Sequence, residues 1–457
     1  MPADGPITFR DHFASIFQSA LTEVGARISS ASTISIRTRG SSGGDIARED
    51  EEYAKVAAQL MAERLGVEPA QQMEIRRTRS LISATKACAE VALRYMDARL
   101  NGSPDQIARI EDEFKAGSCD PAWFSTVNEY LEYFGPRGTR REVPYITPAL
   151  AGDRSVQIPR SARVALVADW GTGAGPAVAI MKQVAALKPD VVIHLGDVYY
   201  SGTPTEYQLN FIDVLDTAFE GKRPPTFILS GNHDMYCGGA GYYSAIASLN
   251  SGSSKQKASF FCLRTEDEAW QLLAMDTGLN DFKPLEVQDN VTSLRDDEAE
   301  WLLRRIEEFQ GKTILLSHHQ LFSAFSQIGS SGSMSSPCNP HLLQWFSEAN
   351  SKGHIAAWFW GHEHSLSIYE PYAGLARGRC IGHGAIPVMS TEKIYTELPA
   401  LKRPPKIIAG TKLATDGHVF AHGFAFLRMG PSDEAATAEY YQSISGRAEP
   451  LYSEQIK

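Results

Sequence analysis

The sequence predicts an α/β domain over residues 160–445, preceded by a helical domain over residues 1–150. Two observations support this division. From Arg163 onward, short apolar runs that end in polar residues alternate with segments of helical spacing. Before residue 150, apolar residues recur mainly at helical spacing, as in Tyr53, Val56, Leu60 and Leu65.

Composition sets the broad class of the protein. The chain has 457 residues, 43% of them apolar and 21% charged, which is typical of a globular protein of two or three domains. The formal net charge of −10 argues against a general nucleic-acid coat or a membrane-surface binder. Six scattered cysteines indicate reduced, buried thiols rather than a disulfide framework. With neither a secretory signal pattern nor an 18-residue apolar run, the sequence predicts a cytoplasmic protein without membrane contact.

The helical N-terminal domain carries no chemistry of its own. A first helix is predicted around Tyr53–Leu65 and a second from about Pro69 to Leu100. Three roles stay open for them: oligomerisation, docking of a partner, and covering of the site formed by the rest of the chain.

The predicted strands of the second domain end in polar residues. Their sequences are VALVAD, VVIHLGD, TFILSGNHD, WQLLAMDT, TILLSHH and AAWFWGH. The polar groups at five of these ends are Asp169, Gly196-Asp197, Gly231-Asn232-His233-Asp234, His318-His319 and Gly361-His362-Glu363-His364. Any one of them alone would usually be structural. Together they predict a metal site, because carboxylates, imidazoles and an amide oxygen are ligands for iron, manganese or zinc. Two such ions can clamp the oxygens of a phosphoryl displacement.

In this order the motifs resemble the calcineurin-like metallophosphoesterase superfamily. The matching blocks are D169-x-G171, G196-D197-x-x-Y200, G231-N232-H233-D234, H318 and G361-H362-x-H364, and the resemblance covers about 165–430. It implies a four-layer αββα sandwich that hydrolyses phosphoesters with two metal ions, a metal-bound hydroxide attacking phosphorus.

Two departures from the common pattern of the superfamily narrow the resemblance to one of its subgroups. The first block lacks the histidine that many members have at position 171, and the second block places Tyr200 three residues after Asp197. This pair of features resembles the purple acid phosphatases, in which a tyrosine phenolate binds Fe(III). It implies an acid-phosphatase-like enzyme with Fe(III) and a divalent ion (Fe, Zn or Mn). The alternative is that Tyr199 and Tyr200 only pack at the strand end.

The resemblance also implies a role for each motif residue. The first metal would be held by Asp169, Asp197, Tyr200 and His364, and the second by Asn232, His318 and His362, with Asp197 shared. His233 would contact the phosphate or protonate the leaving oxygen, and Asp234 would orient His233. His319, Tyr236 and His383 are the remaining predicted substrate contacts, supported only by their positions.

Several alternatives remain at this stage. The expected partner is a small phosphoester, but the natural substrate could be a monoester, a diester or a pyrophosphate. The superfamily's Ser/Thr protein phosphatases are disfavoured, because their second block continues with arginine where this chain has Tyr199-Tyr200. A dinucleotide site at Gly171–Gly175 is disfavoured by its GxGxG spacing. An interaction protein built on a degenerate phosphoesterase fold is the non-enzymatic alternative.

Overall fold

The computed structural model describes Arg109 and residues 143–457, with gaps at 154, 200–201, 237, 282–290, 327, 329–336, 389, 398–400, 402, 418 and 432–433. The chain divides into two compact units, Met1–Arg141 and Glu142–Lys457. Nearly all described residues belong to the second unit. The helices predicted around Tyr53 and Leu81 therefore lie outside the described residues, and the helical N-terminal domain stays a prediction.

Fifteen strands are described in the second unit. In chain order they are β1 Val156–Ile158, β2 Arg163–Val167, β3 Val191–His194, β4 Thr226–Ile228, β5 Phe261–Thr265, β6 Trp270–Ala274, β7 Lys312–Leu316, β8 His354–Trp360, β9 Leu366–Ile368, β10 Gly378–Ile381, β11 Thr415–Asp416, β12 Val419–Phe420, β13 Gly423–Arg428, β14 Ala436–Ile444 and β15 Arg447–Ile456.

Helices separate many of these strands. The α-helices are α1 Pro148–Ala151, α2 Gly175–Ala186, α3 Pro204–Glu206, α4 Asp213–Ala218, α5 Asn232–Met235, α6 Ala240–Ser248, α7 Asp296–Glu307 and α8 Pro340–Lys352. A π-helix, Tyr207–Ile212, joins α3 to α4, and a 3-10 turn spans Gly252–Ser254.

Local sequence explains where the longer helices begin. The Asn339 side chain accepts hydrogen bonds from the first free backbone N–H groups of α8, and Pro340 follows it. Helix α7 has acidic residues in its first turn, Asp296 to Glu298, and Arg304 and Arg305 in its last, which matches the helix dipole. Helices α7 and α8 thus carry recognisable end signals in the sequence.

Two main sheets form the centre of this unit. The seven-stranded sheet has the order β1-β5-β6-β7-β8-β10-β9, and the six-stranded sheet has the order β15-β14-β13-β2-β3-β4. Strands β2, β3 and β4 run parallel, as do β6, β7 and β8. The remaining two strands, β11 and β12, pair with each other.

Alternation along the strands shows how the sheets are layered. On β2, Val164 and Leu166 lie in a core cluster that includes Leu272 and Ile314 of the other sheet. The alternate residues Ala165 and Val167 pack instead with helix α2. Helices α7 and α8 cover the outer face of the seven-stranded sheet. Because strand side chains point alternately to opposite faces, both sheets are buried on both faces. The layers are helix, sheet, sheet and helix, which confirms the predicted αββα sandwich.

No helix in the described part of the chain is long and apolar enough to cross a bilayer. Cys262 and Cys380 are buried and form no disulfide, as predicted for them, and Cys338 is also buried.

Candidate metal centre

The predicted ligands lie where parallel strands of both sheets end. Loops after β2, β3 and β4 approach loops after β7 and β8, and adjacent loops are tied by backbone hydrogen bonds. The Asp169 N–H donates to the Gly196 carbonyl at 3.1 Å, and the Gly361 N–H donates to the His318 carbonyl at 2.9 Å. The side chains brought together in this way are Asp169, Asp197, Asn232, His318, His362 and His364.

Three of these residues have left-handed backbone conformations. The φ angles are 53° for Asp169, 71° for Asp197 and 68° for His362. Non-glycine residues seldom have positive φ, and those that do cluster at sites whose surroundings hold them there. Gly231 permits one such approach, because a Cβ at this position would collide with the Asp197 carboxylate. The turns at these strand ends therefore have backbone conformations that bring the predicted metal ligands close together.

A first group of donors surrounds the hydroxyl of Tyr199. This oxygen lies 3.1 Å from Asp169 Oδ1, 3.2 Å from Asp197 Oδ2 and 3.1 Å from His364 Nε2. His364 Nε2 in turn lies 3.5 Å from Asp169 Oδ1. Tyr199 and both carboxylates are buried. We call these four side chains the first donor group.

A second group of donors surrounds the amide oxygen of Asn232. Asn232 Oδ1 lies 3.3 Å from His318 Nε2 and 3.1 Å from His362 Nδ1. The two histidine nitrogens are 3.3 Å apart, and His318 Nε2 is 3.4 Å from Asp197 Oδ2. These residues form the second donor group, which shares Asp197 Oδ2 with the first.

The spacing within each group fits metal coordination. Nitrogen and oxygen ligands bind zinc-like ions at roughly 2.0–2.2 Å, so ligands at right angles lie about 3 Å apart. The distances of 3.1–3.5 Å within the two groups match that arrangement. Asp169, Asp197 and His318 also converge as a group that could hold an ion. Residues and spacing thus fit two ions with Asp197 between them.

The ionisation of the side chains in this buried region favours the binding of cations. Burial alone would raise the pKa of Asp197, but His318 and His233 lower it well below its usual value. Burial opposes the charged form of His318, yet Asp197 raises its pKa to about 9. His318 Nδ1 lies 3.0 Å from the Leu195 carbonyl. A proton on that nitrogen leaves Nε2, which faces Asn232 and Asp197, free to bind a metal.

The Tyr199 hydroxyl is part of the first donor group. The sequence-based prediction placed Tyr200 there, and Tyr200 lies outside the described residues, so its assignment stays a prediction. Tyr199 reaches the group because of the turn at Asp197, whose left-handed backbone interrupts the alternation of side chains. The adjacent tyrosines were a visible signal, but their spacing alone could not choose between them.

Two predicted substrate contacts lie together beside the second donor group. The His233 ring packs between Tyr199 and Tyr236, with ring centroids 4.7 Å and 4.9 Å away. The Tyr236 hydroxyl accepts a hydrogen bond of 2.6 Å from the Asn232 amide nitrogen. This bond turns the Asn232 oxygen toward His318 and His362. Tyr236 therefore positions a predicted ligand.

Asp234 does not orient His233, contrary to the sequence-based prediction. Its oxygens accept hydrogen bonds from three backbone N–H groups and from one hydroxyl. The donors are Asp197, Val198 and Gly231, at 2.8, 3.0 and 2.7 Å, and Tyr207 at 2.7 Å. Burial, reinforced by Asp197, raises the pKa of Asp234 to about 7. The carboxyl group thus joins the loops after β3 and β4.

His319 is held by side chains that the sequence did not single out. Its Nδ1 lies 3.0 Å from Thr277 Oγ1, and its Nε2 lies 3.0 Å from Asp281 Oδ2. Its ring centroid is 4.4 Å from that of His362. The contact between the two rings supports His362, which is a predicted metal ligand. None of these contacts identifies His319 as a substrate contact.

His383 is placed in the interior rather than at an open surface. Its side chain is buried, with Nε2 3.1 Å from the Tyr441 carbonyl of β14. Burial lowers the pKa of His383 to about 4, so the ring is neutral. This position differs from the predicted substrate contact, because the ring is buried in the interior against β14.

The sequence analysis also did not identify the residues that hydrogen-bond to Asp234 and His319 next to the donor groups. Tyr207, Thr277 and Asp281 belong to segments without a motif. The one available signal was Asp276-Thr277, which follows the apolar run WQLLAM at a strand end.

The fold and these donors define an αββα sandwich with a candidate two-metal centre at its strand ends. Residues 162–366 match the model of the calcineurin-like phosphoesterase family. This match confirms, for that part of the chain, the resemblance recognised in its motifs. No curated protein matches the chain.

Several solved structures are similar to the chain at low identity. GAP50, the anchor in the inner membrane complex of Plasmodium, is 13% identical with a TM-score of 0.45, covering 65% of this chain and 89% of its own. Purple acid phosphatase PPD1 from yellow lupin seeds is 14% identical with a TM-score of 0.43, covering 65% and 54%. TT1561 of Thermus thermophilus is 10% identical with a TM-score of 0.31, covering 49% and 89%.

Proposed function

We propose that this protein is a phosphoester hydrolase that uses two metal ions. The observation that carries the proposal is Asp197 Oδ2, which belongs to both donor groups at once. A shared carboxylate oxygen suits two ions held roughly 3.5–4 Å apart, the arrangement that serves in-line phosphoryl displacement.

Each donor group would hold one ion. Asp169, Tyr199 and His364 supply the first group, and Asn232, His318 and His362 the second. When bound, two such ions lower the pKa of water and neutralise charge on phosphoryl oxygens. The phenol oxygen of Tyr199 is a hard donor, which suits Fe(III) in the first group and a divalent ion in the second.

His233 is proposed to handle the proton of the leaving group. Its backbone N–H donates to Asp197 Oδ1 at 3.0 Å, which ties the residue to the shared carboxylate. The ring is 5% exposed and stands at the edge of both donor groups. A protonated imidazole there would donate to a phosphate oxygen or to the departing oxygen.

The substrate is proposed to be a small phosphomonoester, as in acid phosphatases, with diesters and pyrophosphates as the alternatives. The experiment that tests the function is hydrolysis of an aryl phosphomonoester, an aryl diester and pyrophosphate, with metal content measured on the same preparation. We expect two ions per chain and hydrolysis that disappears after chelation and returns on adding Mn²⁺ or Fe²⁺.

The matched variants are Asp197→Asn, at the shared ligand, and Asp216→Asn, at a surface carboxylate paired with Arg223. Asp197→Asn should lose both ions and activity by orders of magnitude, whereas Asp216→Asn should behave as wild type. A wild-type protein that binds no metal and cleaves none of the three substrates would favour the interaction protein on a degenerate fold.

A further inference from the structure

The π-helix Tyr207–Ile212 contacts the loop that carries Asp197 and Tyr199, through a hydrogen bond from Asn210 to the Tyr199 carbonyl. π-Helical turns are rare and occur frequently at functional sites. This one follows a buried capping box, in which Thr203 Oγ1 accepts from the Glu206 N–H and Glu206 Oε2 accepts from the Thr203 N–H. The start of the segment is thereby fixed immediately after the metal-site loop.

One side chain of the π-helix acts through Asp234. The Tyr207 hydroxyl donates to Asp234 Oδ1 at 2.7 Å, and both residues are buried. The same carboxyl group accepts the backbone N–H groups of Asp197 and Val198. Tyr207 thus fixes the group that sets the path of the backbone at the shared ligand.

A second side chain of the π-helix acts on Tyr199. Asn210 Nδ2 donates to the Tyr199 carbonyl at 2.9 Å. Asn210 is itself confined, because a Cβ added to Gly173 would collide with its side chain. Tyr207, through Asp234, thus acts at Asp197, and Asn210 acts at Tyr199. Asp197 and Tyr199 are the ends of the short segment 197–199, and each supplies an oxygen to the donor groups.

We propose that Tyr207 and Asn210 are positioning residues that set the separation and direction of the donor groups. The inference rests on the proposed function, since it presumes that the donors bind metal. Groups that orient metal ligands typically change metal affinity or activity by about 10–100-fold when removed. Neither side chain need touch an ion to have this effect.

The test is calorimetric titration of the metal-free protein with Mn²⁺, together with its thermal unfolding. Tyr207→Phe removes one hydroxyl, and Asn210→Leu removes the amide at similar size. The matched controls are Tyr242→Phe, which removes a buried hydroxyl donating to the Ile228 carbonyl, and Asn250→Leu, which removes an amide bonded to the Thr226 backbone. None of the control contacts reaches a donor group.

We expect Tyr207→Phe and Asn210→Leu to bind Mn²⁺ about 10–100-fold more weakly than wild type, and both controls to bind as wild type does. If Asn210→Leu fails to fold, Tyr207→Phe still decides the outcome. Equal Mn²⁺ affinity in Tyr207→Phe and Tyr242→Phe, with similar losses of thermal stability, would overturn the inference and leave the proposed function intact. A wild-type chain that takes up no Mn²⁺ would overturn both.

Discussion

The Tyr199 hydroxyl is surrounded by negative charge and by little water. Burial, followed by repulsion from Asp169 and Asp197, raises the pKa of this phenol well above its usual value. The group therefore keeps its proton unless a cation takes the proton's place. A phenol oxygen in these surroundings would suit a strongly charged cation.

The first prediction separates the two tyrosines. In an iron-loaded sample, Tyr199→Phe should abolish a visible absorption band that arises from charge transfer between phenolate and Fe(III), because it removes the phenol oxygen of the first donor group. Tyr200→Phe should keep the band. Absorbance spectra with iron content measured in parallel decide the matter. Bleaching in Tyr200→Phe alone would restore the assignment that the sequence favoured.

The second prediction concerns His233. His233→Ala should retain both ions, because the ring belongs to neither donor group, and should lose about 10²–10⁴-fold in turnover. The loss should be smaller for esters with good leaving groups, which need little protonation. Metal content and turnover on a series of aryl phosphates measure both effects. An equal loss across the series would assign His233 to phosphate binding instead.

At the scale of elements, the loop after β8 depends on a close approach to the loop after β2. Asp169 Oδ2 accepts the His362 N–H at 2.9 Å. The intervening Gly361 has no room for a side chain, since an added Cβ would lie 2.5 Å from Asp169 Oδ2 and 2.7 Å from the Ala168 Cβ. Glycine at this position lets two loops from different sheets meet.

The third prediction tests that approach. Gly361→Ala should push the β8 loop away from Asp169 and weaken metal binding by about 10-fold or more, because it displaces both His362 and His364. The control is Gly175→Ala at the start of α2, where an added Cβ meets nothing within 4 Å. Titration of the two metal-free variants with Mn²⁺ compares them. Unchanged affinity in Gly361→Ala would show that the loops can separate without cost.

At the scale of the whole second unit, a largely buried ion pair joins the two sheets. Arg379 of β10 contacts both oxygens of Glu454 of β15, at 2.6 Å and 2.7 Å. The Tyr440 hydroxyl of β14 donates to the same carboxylate at 2.7 Å. Burial alone would raise the pKa of Glu454, but hydrogen bonds and charge from Arg379 outweigh it and lower that pKa.

The fourth prediction follows from the sign of that shift. A carboxyl group whose pKa is lowered by folding stabilises the fold above its ordinary pKa of 4.5, and that contribution is lost as the pH falls through the lowered value. The difference in unfolding free energy between wild type and Glu454→Gln should therefore be largest near neutral pH and should shrink below about pH 4.5. Breaking a buried pair costs about 3–5 kcal/mol.

Denaturant unfolding at several pH values measures this difference. The control is Glu439→Gln, at a more exposed pair with Arg428 on the neighbouring strand, which should change stability by about 0–1 kcal/mol. A difference for Glu454→Gln that stays constant down to pH 3 would contradict the expected linkage.

The sequence by itself determined the αββα sandwich and the donors at its strand ends. Asp169, Asp197, Asn232, His318 and the His362–His364 pair could be found because apolar strands are followed by residue types that bind metals. Parallel strands deliver such ends to one edge of a sheet, so sequence order and residue type were sufficient. The helical domain over 1–150 remains a prediction from periodicity alone.

Only the tertiary structure decided which side chains complete and support the site. Tyr199 reaches the first donor group because the left-handed turn at Asp197 removes the regular alternation on which a sequence offset depends. Asp234 and His383 make contacts that the sequence did not predict, because their hydrogen-bond partners, Tyr207 and Tyr441, come from distant parts of the chain. Hydrogen-bond partners far apart in sequence leave no local pattern, since they meet only when separate elements pack.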